Sequence, residues 1–125
     1  MLSGAYRFHS RGGVRYTYKN GRQVRGVKIS LVVADNMKRR KGRFAVIVSK
    51  KVLKSAVKRN RMRRRVYEVI RAELPRLAEA KDVLVNIYSK DVVDMEHKEL
   101  VGLMKQSFSD AGLYANGGTI MMEVE

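Results

Sequence analysis

The residues with the clearest potential for binding chemistry lie between Ser49 and Arg71. This segment contains ten lysines and arginines and a single acid, Glu68. Guanidinium groups suit phosphate, because their planar fork donates two N–H bonds at once, whereas lysine offers a point charge. So many like charges repel one another unless a polyanion neutralises them. The candidate phosphate-binding residues are Lys50, Lys51, Lys54, Lys58, Arg59, Asn60, Arg61, Arg63, Arg64 and Arg65.

The second half of this basic segment has the period of a helix. Ser55 is a predicted N-cap, and Pro75 a predicted stop, because the residue before a proline avoids helical geometry. The apolar stripe begins near Met62, so the first turn presents charge in nearly every direction. A helical projection places Arg61, Arg64 and Arg65 on the outer side and Arg59 and Arg63 nearer the stripe. The stripe consists of Met62, Val66, Val69, Ile70 and Leu74.

Catalysis by the protein's own side chains is not expected. The chain has no glycine-rich phosphate loop followed by Lys-Ser or Lys-Thr. His9 and His97 have no third ligand in their neighbourhood, so we predict no metal site. Asp35 and Glu68 alone form a weak pair for acid–base chemistry. Cysteine is absent, which excludes disulfides and thiolate sites.

Charge is distributed unevenly along the 125 residues. Residues 1–71 carry 22 Lys and Arg against 2 Asp and Glu, a net charge of +20, whereas residues 72–125 carry 5 against 10, a net charge of −5. This asymmetry predicts a polyanion-binding surface on one part of a single domain, residues 1–125, and nucleic acid fits that surface better than a membrane. No apolar run approaches about 18 residues and no signal-peptide pattern opens the chain, so we expect a cytoplasmic protein without a membrane partner.

Aromatic residues alternate with basic ones near the start of the chain. Phe8, Tyr16 and Tyr18 lie among several lysines and arginines, which is typical of surfaces that stack single-stranded bases. Packing of these rings in the core or in a hairpin is the alternative. The secondary structure of residues 14–21 is ambiguous. The alternation of Val14, Tyr16 and Tyr18 with polar residues, followed by Asn20-Gly21, indicates a strand and a turn. A helix that ends at Gly21 in the left-handed conformation also fits, with Ser10 as its cap.

The rest of the chain predicts an α+β protein in two layers, a sheet with helices packed on it. Residues 27–35 form a half-buried strand, residues 43–49 a strand apolar on both faces and therefore central, and residues 81–88 another strand. Residues 36–42 are a basic turn. The last helix covers residues 95–111, with Asp94 as N-cap and Gly112 as C-terminal cap. Residues 115–125 are either an added strand or a frayed tail.

One combination of motifs resembles a known family. Ser49-Lys50-Lys51 at a strand end, followed by Arg59-Asn60-Arg61 and Arg63-Arg64 on a basic helix, is similar to the bacterial ribonuclease P protein subunit, over about residues 7–113. The resemblance implies a helix at residues 10–21 and a four-stranded mixed sheet with a left-handed strand–helix–strand crossover. It also implies that the protein binds a catalytic RNA, one copy per RNA, and that this RNA cleaves precursor tRNA with its own bound magnesium.

The same resemblance implies a cleft for the 5′ leader of precursor tRNA, between the first helix and the sheet. The residues expected there are Phe8, Val14, Tyr16, Tyr18 and Ser49. The chain departs from the family at Val14, where a second aromatic is common. A non-catalytic ribosomal or ribosome-assembly protein of related fold is the alternative function, since a small basic two-layer domain serves either role.

Overall fold

The computed structural model describes residues 11–26, 28–35, 43–77 and 81–114, with the backbone alone for residues 11–15. Phe8, the predicted cap Ser10, the basic turn at 36–42 and the segment 115–125 lie outside the described residues, as does the side chain of Val14. In chain order the elements are α1 (Arg11–Asn20), β1 (Arg22–Arg25), β2 (Ile29–Asp35), β3 (Arg43–Val48), α2 (Ala56–Glu73), β4 (Lys81–Ile87) and α3 (His97–Asp110).

The strands form one mixed sheet in the order β1-β2-β4-β3. Strand β2 runs antiparallel to β1 and β4, and β3 runs parallel to β4. The predicted α+β fold with a four-stranded mixed sheet is therefore confirmed. Helix α2 connects the parallel pair β3 and β4, and the left-handedness of that crossover stays a prediction. The sequence did not predict β1, which has four residues and no apolar alternation.

Both faces of the sheet carry helices. Helices α2 and α3 bury their apolar stripes against Phe44, Val46 and Val85 on one face, while α1 contacts β2 and β4. Residues on the opposite face of β2, including Ser30 and Val32, are also buried. The prediction that β2 is half-buried is wrong, because α1 covers the side that its polar residues suggested was open to solvent.

Strand β3 is an edge of the described sheet, so its predicted central position is wrong. Its residues alternate between buried and half-buried, and Ala45 and Ile47 lie on the less covered face. The Tyr67 hydroxyl, from α2, accepts a hydrogen bond from the backbone N–H of Val46 at 3.2 Å. An apolar run on both faces of a strand is typical of a central strand. Here the Tyr67 hydroxyl, and not a further strand, pairs with the backbone N–H of Val46 at the edge.

A buried ion pair joins β3 to β4. Arg43 donates from Nε and from its terminal nitrogen to the two oxygens of Asp82, at 3.1 and 2.7 Å. Asp82 is 3% exposed, and this pairing raises the pKa of Arg43. The two residues are also register partners in the parallel ladder. The bidentate contact therefore supports one alignment of β3 on β4.

Helix α1 confirms the helical interpretation of residues 10–21 over the hairpin. The prediction that Gly21 ends it in the left-handed conformation is wrong, since among the described glycines only Gly112 has a positive φ, of 69°. Gly21 is instead a point of close approach. A Cβ atom there would lie 2.5 Å from the Thr17 carbonyl oxygen and 2.6 Å from Val32 Cγ1.

Helix α3 ends as predicted but begins later. Its N-cap is Glu96, which makes no side-chain capping bond, so the prediction of Asp94 as cap is wrong. At the other end, Gly112 N donates to the Ser109 carbonyl and Leu113 N to the Phe108 carbonyl, both at 3.0 Å. This double pattern is a Schellman motif, which needs a left-handed residue and so favours glycine.

Tyr114, the last described residue, contacts the C-terminal end of α2. The Tyr114 hydroxyl donates to the buried carboxylate of Glu73 at 2.8 Å, and Arg76 donates to the same group at 3.1 Å. Burial, and then the bond to Glu73, raise the pKa of Tyr114. Tyr114 also meets the ring of Phe108 edge to face, with centroids 6.3 Å apart. These contacts fix the C-terminal end of α2 relative to α3.

Two glycine substitutions test the packing of α1 against the sheet. Gly21→Ala should lower the free energy of unfolding by about 1–3 kcal/mol, because the added methyl meets a backbone oxygen and a buried valine. Gly102→Ala is the matched control, since nothing lies within 4 Å of a Cβ there and the residue lies inside α3. It should raise the free energy of unfolding by about 0.5–1 kcal/mol. Urea denaturation measures both, and equal effects would contradict the close approach at Gly21.

Candidate nucleic-acid interface

Helix α2 carries the predicted basic residues on a buried apolar anchor. The Ser55 hydroxyl accepts from the backbone N–H of Lys58 at 3.3 Å, which confirms the predicted N-cap. The stripe is confirmed as well, since Met62, Val66, Val69 and Ile70 are buried and Leu74 is half-buried. The helix ends at Glu73, and a short 3-10 turn containing Pro75 follows. The buried stripe therefore holds α2 in place, while the N-terminal half of the helix extends beyond the hydrophobic core.

The predicted cations differ in exposure. Arg59, Arg63 and Arg65 are half-buried. Within the described residues, no carboxylate forms an ion pair with any cation between residues 50 and 65. The charge of this segment is therefore open to an external anion. The exposed cations are Lys50, Lys51, Lys54, Lys58, Arg61 and Arg64, and the neutral Asn60 is exposed beside them.

Arg59 connects α2 to the loop before it. One terminal nitrogen of its guanidinium donates to the carbonyl oxygens of Leu53 and Lys54, at 2.9 and 2.7 Å. Ser49 organises the other side of that loop, where its carbonyl accepts from the N–H groups of Val52 and Leu53 at 3.1 Å. The basic loop is therefore held between the end of β3 and the first turns of α2.

Arg65 is placed differently from its helical projection. Its two terminal nitrogens donate to the carbonyl oxygens of Val93 and Met95, at 2.9 and 2.5 Å. The outward orientation predicted for this side chain is wrong, because the segment after β4 lies close enough to accept both bonds. A role in RNA binding stays a prediction for Arg65, whose guanidinium is engaged within the protein.

The central asparagine of the Arg-Asn-Arg box has a local partner. Asn60 Oδ1 accepts a hydrogen bond from the guanidinium of Arg63, one turn further along α2. An amide oxygen orients the arginine without cancelling its charge. Arg61 and Arg64 are exposed on the outer side of the helix, as the projection predicts.

A groove of about 810 Å³ lies beside the first half of α2. One wall comes from residues 51–54 and from Lys58, Arg61, Met62 and Arg65, and the other from Lys90 and residues 93–95. Sequence reasoning missed this second wall. No signal marked it, because residues 90–95 contain one lysine among acids and apolar residues and come more than 20 positions after the basic box.

The aromatic residues of α1 lie on two different sides of the helix. Tyr18 donates its hydroxyl hydrogen to Asn86 Oδ1 of β4 at 2.5 Å, and its side chain is 47% exposed. Thr17 is fully buried against the sheet. Tyr16, two positions before Tyr18, points about 200° away from it around the helix and is 62% exposed. The two rings therefore do not line the same side of α1.

A surface that Tyr18 borders is the remaining candidate for a cleft. Asn86, its hydrogen-bond partner, pairs in register with Ile47 of β3, and the half-buried Ile47 and Ala45 lie on the outer face of that edge strand. Ser49 follows directly at the end of β3 and is exposed. This surface lies on the face of the sheet opposite α3 and beside α1, where the resemblance implies a cleft.

The described residues lack two further features, a metal site and a membrane-spanning helix. No group of three or more His, Asp or Glu side chains is placed to hold a metal ion. None of the helices in that part of the chain has the length and apolar character needed to cross a membrane.

Comparison with known proteins identifies the relatives of this chain. The family described as Ribonuclease P matches residues 2–112. The ribonuclease P protein component of Chloroflexus aurantiacus is 36% identical over 96 residues, which cover 77% of this chain and 70% of the relative. That of Synechocystis is 27% identical over 80% of each chain. The structure of the Staphylococcus aureus RNase P protein superposes with a TM-score of 0.78 at 23% identity, over 87% of this chain and 97% of the other.

Substitution of two neighbouring arginines separates internal from external roles. Arg65→Ala should lower the free energy of unfolding by about 1–3 kcal/mol, because two charge-assisted bonds are lost and their carbonyl acceptors lose a partner. Arg65→Lys should recover only part of this loss, since one ammonium replaces the fork. Arg64→Ala, which removes the same charge from the exposed side, should change it by less than about 0.5 kcal/mol. Thermal or urea denaturation measures the free energy of unfolding of each variant. Equal losses for the two alanine variants would refute the internal role of Arg65.

Proposed function

Because this chain belongs to the ribonuclease P protein family, we propose that it is the subunit that binds the catalytic RNA and the 5′ leader of precursor tRNA. In this assignment the RNA breaks the phosphodiester bond and holds the magnesium ions, one protein serves each RNA, and the protein supplies binding. The observation that carries the proposal is the array of cations on the N-terminal half of α2, which no described carboxylate neutralises.

The positive charge of α2 supports a role in binding folded RNA. Bringing phosphates of the catalytic RNA and of its substrate together costs Coulomb energy, and fixed guanidinium groups lower that cost. Lys58, Arg61 and Arg64 are exposed and lie on a helix whose opposite stripe is in the core. The array therefore needs little reorganisation when RNA binds.

The leader of precursor tRNA is proposed to bind on the surface between α1 and β3. Tyr18 supplies a half-exposed ring for stacking and is held by Asn86, while Ser49 and the outer face of Ile47 border the same region. A single strand on such a surface gains stacking energy without a demand for a particular sequence. Leaders of differing sequence therefore suit this site.

Reconstitution with RNA tests the function directly. The protein is mixed with the catalytic RNA of the same source organism and with precursor tRNA at low magnesium, where charge repulsion between the RNAs is strong. We expect faster cleavage and tighter substrate binding than with the RNA alone. The gain in affinity should shrink when the substrate lacks its 5′ leader. A protein that binds RNA but gives no leader-dependent gain would instead fit a non-catalytic RNA-binding role.

Charge removal on α2 tests the interface with the catalytic RNA. Arg61→Ala should weaken binding about 5- to 30-fold, because one charge-assisted contact of about 1–2 kcal/mol is lost, and it should leave the melting temperature unchanged. Lys105→Ala, an exposed position on α3, removes the same charge elsewhere. Affinities measured against salt should show a shallower slope for Arg61→Ala only. Equal slopes for the two variants would place the interface away from Arg61.

The two tyrosines of α1 test the position of the leader. Tyr18→Ala should weaken binding of precursor tRNA that carries a leader by about 5-fold or more, as expected for one lost stacking contact. Tyr18→Phe should retain most of that affinity, because the ring is kept. Tyr16→Ala should have the smaller effect, since Tyr16 points away from the side that Asn86 marks. A larger loss for Tyr16→Ala, measured by the same binding assay, would move the leader to the other side of α1.

A further inference from the structure

The groove beside α2 combines two properties that a plain phosphate-binding surface does not need. Its rim carries six cations, three from α2, two from the preceding loop and Lys90 from the segment after β4, against the single acid Asp94. Its lining also contains five aliphatic side chains, of which Leu53, Val93 and Met95 are half-buried. A ligand that uses both must present a negative charge next to an apolar surface.

The groove is already formed in the protein. Arg65 bridges its two sides through the carbonyls of Val93 and Met95. The segment after β4 is itself ordered by a 3-10 turn, in which the Ser89 hydroxyl accepts from the N–H of Asp91 at 3.3 Å and the side chain of Val92 is fully buried. Both walls are therefore fixed before a ligand arrives, which lowers the entropy cost of binding.

The size and lining of the groove fit a nucleotide whose base is not stacked in a helix. Its volume of about 810 Å³ lies within the range of about 300–1,000 Å³ found for sites that enclose small ligands. An RNA duplex offers phosphates and riboses but keeps its bases stacked, so it would leave the aliphatic lining without a partner. An unpaired nucleotide offers a phosphate for the rim and a flat base for the aliphatic side chains.

We propose that this groove receives one unstacked nucleotide of the catalytic RNA, with the base against Leu53 and Met95 and the phosphate at the rim near Lys90. This inference rests on the proposed function, since it names a partner for the face of α2 that the Arg-Asn-Arg box borders. It assigns Lys90 and residues 93–95 to the interface, and it gives Arg65 the role of a positioning residue that holds the second wall.

Small probes test the chemistry of the groove without the large RNA. The full chain, labelled with ¹³C at the methionine methyl groups, is titrated with adenosine monophosphate, uridine monophosphate, ribose 5-phosphate and inorganic phosphate. The Met95 methyl signal should shift with the nucleotides, whereas that of Met104, a buried residue of α3, should not. Nucleotides should bind about 5-fold or more tightly than ribose 5-phosphate, because only they carry a base. Equal affinity for all four probes, or an unmoved Met95 signal, would overturn the proposal.

A second measurement uses the catalytic RNA itself. Lys90→Ala should weaken its binding and lower the magnitude of the salt slope by about 0.7, the value for one phosphate of a single strand. Lys105→Ala, with the same charge change on α3, should leave the slope unchanged. If wild type binds the RNA but the two variants behave alike, the groove assignment fails while the proposed function stands. If wild type does not bind the RNA, the proposed function fails, and the mononucleotide titration still decides what the groove accepts.

Discussion

The arginines that are fixed in place in the first ten residues of α2 are held by neutral acceptors. Arg59 donates to two loop carbonyls and Arg65 to two carbonyls of the segment after β4, while Arg63 donates to an amide oxygen. A carboxylate in any of these positions would orient the guanidinium and also cancel its charge. A carbonyl orients it and leaves the charge available. The domain thus obtains defined geometry and an undiminished electrostatic field from the same contacts.

This arrangement has a cost that the fold offsets. Several like charges within a few turns of one helix destabilise it, and its first turn contains no acid that would complement the helix dipole. Stability comes instead from the opposite face, where Val66 and Ile70 are fully buried and Met62 and Val69 nearly so. The contacts of Tyr114 and Arg76 with Glu73 secure the far end. The charged half of α2 is therefore held by interactions made elsewhere along its length.

Sequence reasoning succeeded where a feature is local. The apolar stripe of α2, the Ser55 cap, the three longer strands and Gly112 follow from periodicity and capping chemistry over a few residues. It failed where a distant segment decides the outcome. Arg65 turns inward because residues 93–95 reach it, and β2 is buried on both faces because α1 covers one of them. Strand β3 is an edge of the described sheet despite its apolar composition. A helical projection predicts the direction in which a side chain leaves the helix axis, but it does not predict which other segment of the protein lies in that direction.

The hydroxyl of Tyr67 has a consequence beyond the packing of α2. A strand at the border of a sheet offers unpaired backbone groups to any extended polypeptide, and a second copy of the same chain is the nearest candidate at high concentration. By taking the N–H of Val46, the tyrosine removes one rung from that ladder, so self-association through β3 loses the regular pattern it requires. Strand pairing of β3 with other proteins is thereby disfavoured. Binding of a nucleic acid strand beside β3 is not affected, because it does not require a ladder of backbone hydrogen bonds.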